Sequence, residues 1–187
     1  MAVFFLPKSR FKKFSERVAQ TEDVVVIDVS GKTEAWAPLA ATFNHGEIPV
    51  PGMPGVFAKT VEGLWDGLKR FEHEGENLAL LDADKPKKRR QTKDTGAVVG
   101  YLYGTELLRD ELAARRRILV PAYTWMVKNC PAAKAKFEEL VELSKTHTLH
   151  IYDGGENGVI NGAEPYACAS LLAEMLRDVK KKEAALA

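Results

Sequence analysis

Two carboxylates and a lysine recur at helical spacing in the segment TVEGLWDGLK. Glu62, Asp66 and Lys69 occupy positions i, i+4 and i+7, so a helix would place them in one polar stripe. Carboxylates four residues apart repel each other by roughly a few tenths of a kcal/mol on an exposed helix. Burial would raise the pKa of one of them. Such a pair can supply a proton donor or stabilise a developing cation.

The same spacing has a simpler structural explanation. Glu62 would lie in the first turn of the helix, where the helix dipole favours an anion. Asp66 would lie four residues before Arg70 and could pair with it. The spacing alone therefore favours an ordinary solvated helix over a catalytic site.

Two glycines weaken this helix. Gly63 and Gly67 each cost about 1 kcal/mol relative to alanine in a helix interior. Because they are four residues apart, they leave one face of the helix without side chains. Either another segment of the chain or a ligand could approach the backbone there, and helix packing is the simpler of these two interpretations.

The segment HGEIPVPG precedes the helix and is stiffened by proline. Pro49 and Pro51 have no N–H to give a sheet, and each pushes the residue before it toward extended backbone. We therefore predict a rigid connector or edge strand, followed by a turn at PGMPG. His45 begins this segment and is a candidate ligand-binding residue, although a lone histidine usually has no such role.

The remaining elements mix strands and helices without a regular βαβ order. We predict strands at residues 3–5, 23–30, 77–82, 97–104 and 148–153. An extended segment is predicted at 118–123. We predict helices at residues 9–20, 60–71, 105–117, 132–147 and 166–187, the last with a frayed tail at 180–187. The pattern predicts one α+β domain over residues 1–187, with a small mixed sheet surrounded by helices.

Length and composition limit the class of protein. The chain has 187 residues, with 45% apolar and 28% charged residues, as expected of a soluble domain. A net charge of +1 provides no overall field that would attract nucleic acid or a membrane. The two cysteines and four histidines have no metal-ligand spacing. We therefore predict a soluble, cytoplasmic protein that has no metal site, no cofactor and no membrane association.

Residues 85–93, KPKKRRQTK, form a dense basic run inside a predicted exposed charged loop at 82–96. We call residues 85–93 the basic loop. It could bind the phosphates of a nucleic acid or act as a nuclear import signal. Asp82, Asp84 and Asp94 would weaken its field, and a solvated loop is the simpler interpretation.

Other charged residues are weaker candidates. Arg116 and Arg117 close a predicted helix, where cations suit the helix dipole. Three arginines in a row cannot all face one way, so one could turn inward toward an anion. Asp153 follows a predicted strand at a position where loops often carry functional sites, although a plain turn explains it equally well.

The segment at 60–69 resembles the helix of NADAR-type domains, the YbiA-like N-glycosidase superfamily. The signature of that helix is similar to Ser-Val-Glu-His-Ala-Tyr-Gln-Ala-Ala-Lys. Val61, Glu62 and Lys69 match it, Thr60 stands for the serine and Trp65 for the aromatic residue. A glycine replaces the histidine and an aspartate replaces the glutamine. The segments ARRRILVPAYTWMVKN and KFEELVELSKTHTLHIYD are similar, more loosely, to later parts of such domains. The segment PYACASLLAEML and the arrangement that begins with HGEIPVPG resemble an uncharacterised branch of the superfamily.

The resemblance implies an α+β fold that binds or cleaves an ADP-ribose-like or ribosyl-phosphate ligand. Cleavage of an N-glycosidic bond passes through an oxocarbenium-like state that a carboxylate stabilises. By this resemblance Glu62 is the catalytic candidate and Asp66 its helper. Lys69 or an arginine would hold phosphate, and Trp65 could stack on a base. The alternatives are a binding module that has lost its chemistry, or a nucleic-acid accessory protein that uses the basic loop.

Overall fold

The computed structural model describes residues 1–18, 21–160 and 166–186. The chain divides into two compact units. Unit 1 contains Met1–Ala40 and Pro131–Ala187, and unit 2 contains Ala41–Cys130. Strands and helices occur in both units, so the predicted α+β class is confirmed. None of the helices in the described ranges is long and apolar enough to cross a lipid bilayer.

The elements of the described ranges are short. The strands are β1 (Val3–Phe5), β2 (Val24–Asp28), β3 (Ile48–Pro49), β4 (Phe57–Ala58), β5 (Lys69–Phe71), β6 (Val98–Tyr103), β7 (Glu106–Leu108) and β8 (Thr148–Tyr152). The α-helices are α1 (Lys8–Val18), α2 (Val61–Gly67), α3 (Glu111–Ala114), α4 (Val120–Asn129), α5 (Pro131–Thr146) and α6 (Cys168–Leu186). Two 3-10 helices cover Glu34–Leu39 and Leu78–Asp82, and a π-helical turn covers Arg115–Leu119.

Unit 1 is built on a parallel sheet with the strand order β1-β8-β2. Ile27, Leu149 and Ile151 on these strands are fully buried, as β-branched and aliphatic residues of a covered sheet should be. Helix α6 packs against β1 and β8, and α5 packs against the 3-10 helix Glu34–Leu39. The carboxylate of Asp153, just after β8, accepts hydrogen bonds from the backbone of the turn and from the start of α6.

Unit 2 contains an antiparallel sheet with the order β5-β6-β7 and a separate pair of strands, β3 and β4. The stiffened segment forms β3, which pairs with β4 across the turn at PGMPG. Helix α2 follows β4 and packs against the 3-10 helix Leu78–Asp82. Within the described ranges, the strands predicted as one mixed sheet thus form three separate sheets, each purely parallel or purely antiparallel.

Several predicted boundaries were wrong. The helix predicted at 60–71 ends at Gly67, because Lys69–Phe71 pairs with β6 as strand β5. The segment at 77–82 is a 3-10 helix and not a strand, an ambiguity that short apolar runs always carry. Within the described residues α6 extends as far as Leu186, and the fraying predicted at 180–187 stays a prediction.

The segment after β6 also differs from its prediction. Residues 106–108 turn back on β6 as β7, so the helix predicted at 105–117 starts at Glu111, and the Asp110 side chain caps it. The segment 118–123, predicted as extended because of Pro121, is helical. Proline is tolerated in the first turn of α4, directly after the π-helical turn.

Candidate functional site

Helix α2 begins with a side-chain cap and buries one face. The Thr60 hydroxyl accepts a hydrogen bond from the Gly63 backbone N at 2.8 Å, which satisfies one free N–H of the first turn. Val61, Leu64 and Leu68 are buried on the core side. The apolar spacing that predicted the helix is therefore the spacing that packs it into unit 2.

The two glycines of α2 lie under the 3-10 helix Leu78–Asp82. A Cβ on Gly63 would lie 2.5 Å from the backbone oxygen of Leu80, and one on Gly67 would lie 3.2 Å from that of Asn77. Another segment of the chain therefore covers the bare face, which is the simpler of the two interpretations left open by the sequence.

Asp66 and Lys69 form a buried ion pair. The lysine Nζ lies 2.6 Å from Oδ1 of the aspartate, and the two residues are 1% and 8% exposed. The charge of Lys69 is compensated by Asp66, so the structure places this lysine in the interior of unit 2 and not on an open surface.

Glu62 lies one turn before Asp66 and is half-buried. Its backbone N donates to the Ala41 carbonyl at 2.8 Å, but its carboxylate forms no hydrogen bond or ion pair within the described residues. Burial raises the pKa of Glu62, and the charge of Asp66 raises it further, against the opposing charges of Lys88 and Lys69. The folded protein therefore keeps Glu62 protonated to a higher pH than a free glutamate.

Arg89, a residue of the basic loop, lies against the ion pair of Asp66 and Lys69. Its backbone N donates to Oδ2 of Asp66 at 3.3 Å. Its guanidinium donates to the carbonyl of Lys69 at 2.5 Å and to that of Gly75 at 2.7 Å. It also pairs with Glu74, with Nη2 3.1 Å from Oε1. One residue of the loop is thus joined to α2, to β5 and to the turn after β5.

The basic loop lines a cavity of about 420 Å³ within unit 2. Phe71 and Leu80 contribute apolar surface, and Asn77 and Thr95 contribute polar groups. The charged lining residues are Lys85, Lys87, Lys88, Arg89, Arg90 and Glu74. The single acid among them is already paired with Arg89.

Four of the five cations are free of protein partners. Within the described residues, the side chains of Lys85, Lys87, Lys88 and Arg90 form no ion pair and no hydrogen bond. Asp84, expected to weaken the field of the loop, is engaged by Lys59 at 3.0 Å. Five cations and one acid line the cavity, so its wall has an excess of positive charge.

Trp65 and His45 lie elsewhere in unit 2. Trp65 is half-buried and stacks on Tyr101, with ring centroids 4.2 Å apart. Burial raises the pKa of Tyr101 well above its ordinary value. The backbone N of His45 donates to the carbonyl oxygen of Lys59 at 2.8 Å. The centroid of the His45 ring lies 4.8 Å from that of the Phe43 ring. Neither predicted ligand residue lines the cavity.

The arginines at 115–117 separate into one buried and two exposed residues. Arg117 pairs with Glu106 at 2.9 Å, and Arg116 is exposed. Arg115 is the one that turns inward, and it pairs with Glu111 at 2.5 Å. The arginines predicted from the sequence as ligand-binding residues were Arg116 and Arg117. The acid four residues before Arg115 was the available signal, because i and i+4 residues share a helix face.

Asp153 belongs to unit 1, whereas the Glu62 cluster belongs to unit 2. Its two oxygens accept from the backbone N of Gly155 at 2.9 Å and of Ala169 at 2.8 Å. Both oxygens therefore stabilise local structure. These contacts agree with the interpretation of Asp153 as a plain turn residue, which the sequence left open.

The apolar and neutral lining of the cavity was not predicted from the sequence. Phe71 was assigned to a helix and Leu80 to a strand, so neither was expected beside the basic loop. Arg89 was grouped with its basic neighbours and not recognised as their attachment point. The only signal in the sequence was the density of cations itself.

The model of a family of unknown function, DUF6939, matches residues 9–172. The chain belongs to this family. The range matched by DUF6939 includes both α2 and the basic loop, so the buried pair and the cavity lie within the family domain. No curated protein and no solved structure matches the chain.

Proposed function

We propose that unit 2 binds a small phosphate-bearing ligand, of the nucleotide or ADP-ribose kind, in the cavity beside the basic loop. The observation that carries this proposal is the set of four cations that line one cavity and form no ion pair or side-chain hydrogen bond with the described residues. They are Lys85, Lys87, Lys88 and Arg90.

Like charges held together are unfavourable unless an anion joins them. Phosphate oxygens accept charge-assisted hydrogen bonds from lysine and arginine, and these are stronger than neutral hydrogen bonds. Leu80 and Ala83, which are both partly exposed, offer apolar surface to the base or sugar of such a ligand. The cavity volume of about 420 Å³ falls in the range of roughly 300–1,000 Å³ that small-molecule sites occupy.

The binding test uses ADP-ribose and ADP as probes, measured by isothermal titration calorimetry. Replacing the four cations with glutamine should abolish binding. The matched control removes the same charge from exposed lysines elsewhere, namely Lys12, Lys13, Lys32 and Lys182. Equal binding by both variants would disprove the proposal. Salt-sensitive binding of a DNA or RNA oligonucleotide, without binding of either probe, would assign the basic loop to nucleic acid instead.

A second candidate function is N-glycosidase activity on the same ligand class. Glu62 supports it, because its half-buried carboxylate has a raised pKa and no partner within the described residues, and because Lys88 of the cavity wall acts on its charge. This second proposal includes the resemblance of α2 to the NADAR-type helix. It also includes a NADAR-like version of the α+β fold. Water would replace the base on the sugar carbon, and the carboxylate would stabilise the sugar cation.

Turnover separates the two candidates. ADP-ribose and ribosylaminopyrimidine compounds are incubated with the protein, and the released base is followed by chromatography. Release that is lost in Glu62→Gln while probe binding persists supports the N-glycosidase. Binding without any release supports a binding module.

A further inference from the structure

We infer that Arg89 is the positioning residue that holds the basic loop against the cavity and aims its neighbouring cations at the ligand. This inference rests on the proposed function. Arg89 differs from the other cations of the cavity wall in being engaged by the protein and mostly buried, with 9% of its side chain exposed. Its charge is therefore used for structure, and theirs remains for a ligand.

The side chain of Arg89 ties the loop to β5 and to the turn that follows it. The guanidinium donates to the carbonyls of Lys69 and Gly75 and pairs with the carboxylate of Glu74. It also lies over the ring of Phe71, 4.8 Å from the centroid. These contacts use several faces of one planar group at once.

The backbone of Arg89 is held as well. Its N–H donates to Oδ2 of Asp66, while Oδ1 of the same carboxylate holds Lys69. A residue fixed at both main chain and side chain determines the direction of the residues on either side, which here are Lys88 and Arg90. Because the cations of the loop repel one another, such an attachment keeps them together in the absence of an anion.

Only arginine can make this set of contacts. Its five N–H donors are arranged in a plane that can meet two carbonyls and a carboxylate while stacking on a ring. A lysine ammonium has the same charge but is compact and cannot bridge these partners. Arg89→Lys therefore removes the attachment and preserves the charge, and Arg109→Lys is the matched control, because Arg109 is exposed and does not line the cavity.

The test compares the full chain with these two variants. We expect Arg89→Lys to weaken ADP-ribose binding by about tenfold or more, and Arg109→Lys by less than about threefold. The slope of log Kd against log salt should stay unchanged in both, because neither loses a charge. Hydrogen exchange of amides 85–93 without ligand should accelerate in Arg89→Lys and not in Arg109→Lys.

The outcomes separate this inference from the proposed function. If the wild-type chain binds no probe, the proposed function fails, and the exchange rates still decide whether Arg89 holds the loop. If the wild type binds and Arg89→Lys binds as tightly, the inference fails and the proposed function stands. Should Arg89→Lys not fold, Glu74→Gln removes one contact of the attachment from a partly exposed partner. Unchanged exchange at 85–93 in Glu74→Gln would then overturn the inference.

Discussion

Asp66 shows how burial changes the role of a charged residue. By resemblance to the NADAR-type helix it was predicted to be the helper of a catalytic glutamate. In the folded chain one of its oxygens binds the ammonium of Lys69 and the other accepts from the backbone of Arg89. Its charge therefore stabilises the interior of unit 2, and Glu62 is the acid of the pair whose carboxylate has no such partners.

Asp66→Asn should lower the free energy of unfolding by about 3–5 kcal/mol, because Lys69 would be left buried without a compensating charge. Urea denaturation measures this change. The control is Glu139→Gln in the exposed pair Lys136–Glu139, which should cost less than about 1 kcal/mol. Similar costs for the two variants would show that the Asp66 pair is not desolvated.

Glu62 should make stability depend on pH. Its pKa is raised from the ordinary 4.5 in the folded state, so the folded chain binds the proton more tightly than the unfolded chain. The resulting stability is present below the ordinary pKa and is lost as the pH rises through the folded-state pKa. Glu62→Gln cannot ionise and escapes this loss. Its stability relative to wild type should therefore increase as the pH rises above the ordinary pKa of 4.5 in denaturation experiments; a difference independent of pH would contradict the prediction.

At the scale of elements, the packing of α2 against the 3-10 helix Leu78–Asp82 decides the shape of the site. The glycines of α2 allow the backbone of the second element to come close. Leu80 of the 3-10 helix and Asn77, which directly precedes this helix, then line the cavity. The cost of glycine in a helix is offset by this close packing.

Gly63→Ala should destabilise the protein by about 1–3 kcal/mol, because the new methyl group would lie 2.5 Å from a backbone oxygen that cannot easily move. Gly67→Ala is the matched control. Its contact of 3.2 Å is milder, and the gain of about 1 kcal/mol in helix propensity opposes it. Thermal unfolding of both variants tests the order, and a larger loss for Gly67→Ala would refute the packing argument.

At the scale of the molecule, every residue of the proposed site lies within Ala41–Cys130. The antiparallel sheet, α2 and the basic loop make their described contacts inside this range. Although the net charge of the chain is only +1, positive charge is concentrated at one cavity. The chemistry is therefore expected of unit 2 rather than of the whole chain.

Residues 41–130 expressed alone should fold cooperatively and bind ADP-ribose with the affinity of the full chain. The physical reason is that the buried pair, the Arg89 attachment and the cavity all form within this range. Circular dichroism melts and calorimetry measure the two properties. A fragment that folds but binds far more weakly would place part of the site in residues 1–40 or 131–187.

Local patterns predicted the elements that depend on near neighbours. The β-branched run at 23–30 became β2, the amphipathic run at 132–147 became α5, and the prolines before α2 gave a short edge strand. They did not predict where the helix at 60–71 stops. Pairing of Lys69–Phe71 with β6 decided that, and such pairing overrides local propensity.

The amino-acid sequence by itself determined the α+β class, the presence of Glu62, Asp66 and Lys69 in one short segment, and the concentration of positive charge at 85–93, because these follow from residue types and local patterns. Only the tertiary structure decided that Asp66 and Lys69 neutralise each other in the interior and that Arg89 joins the basic loop to them. The physical reason is that burial and ion pairing depend on segments distant in the chain, whose approach no local periodicity specifies.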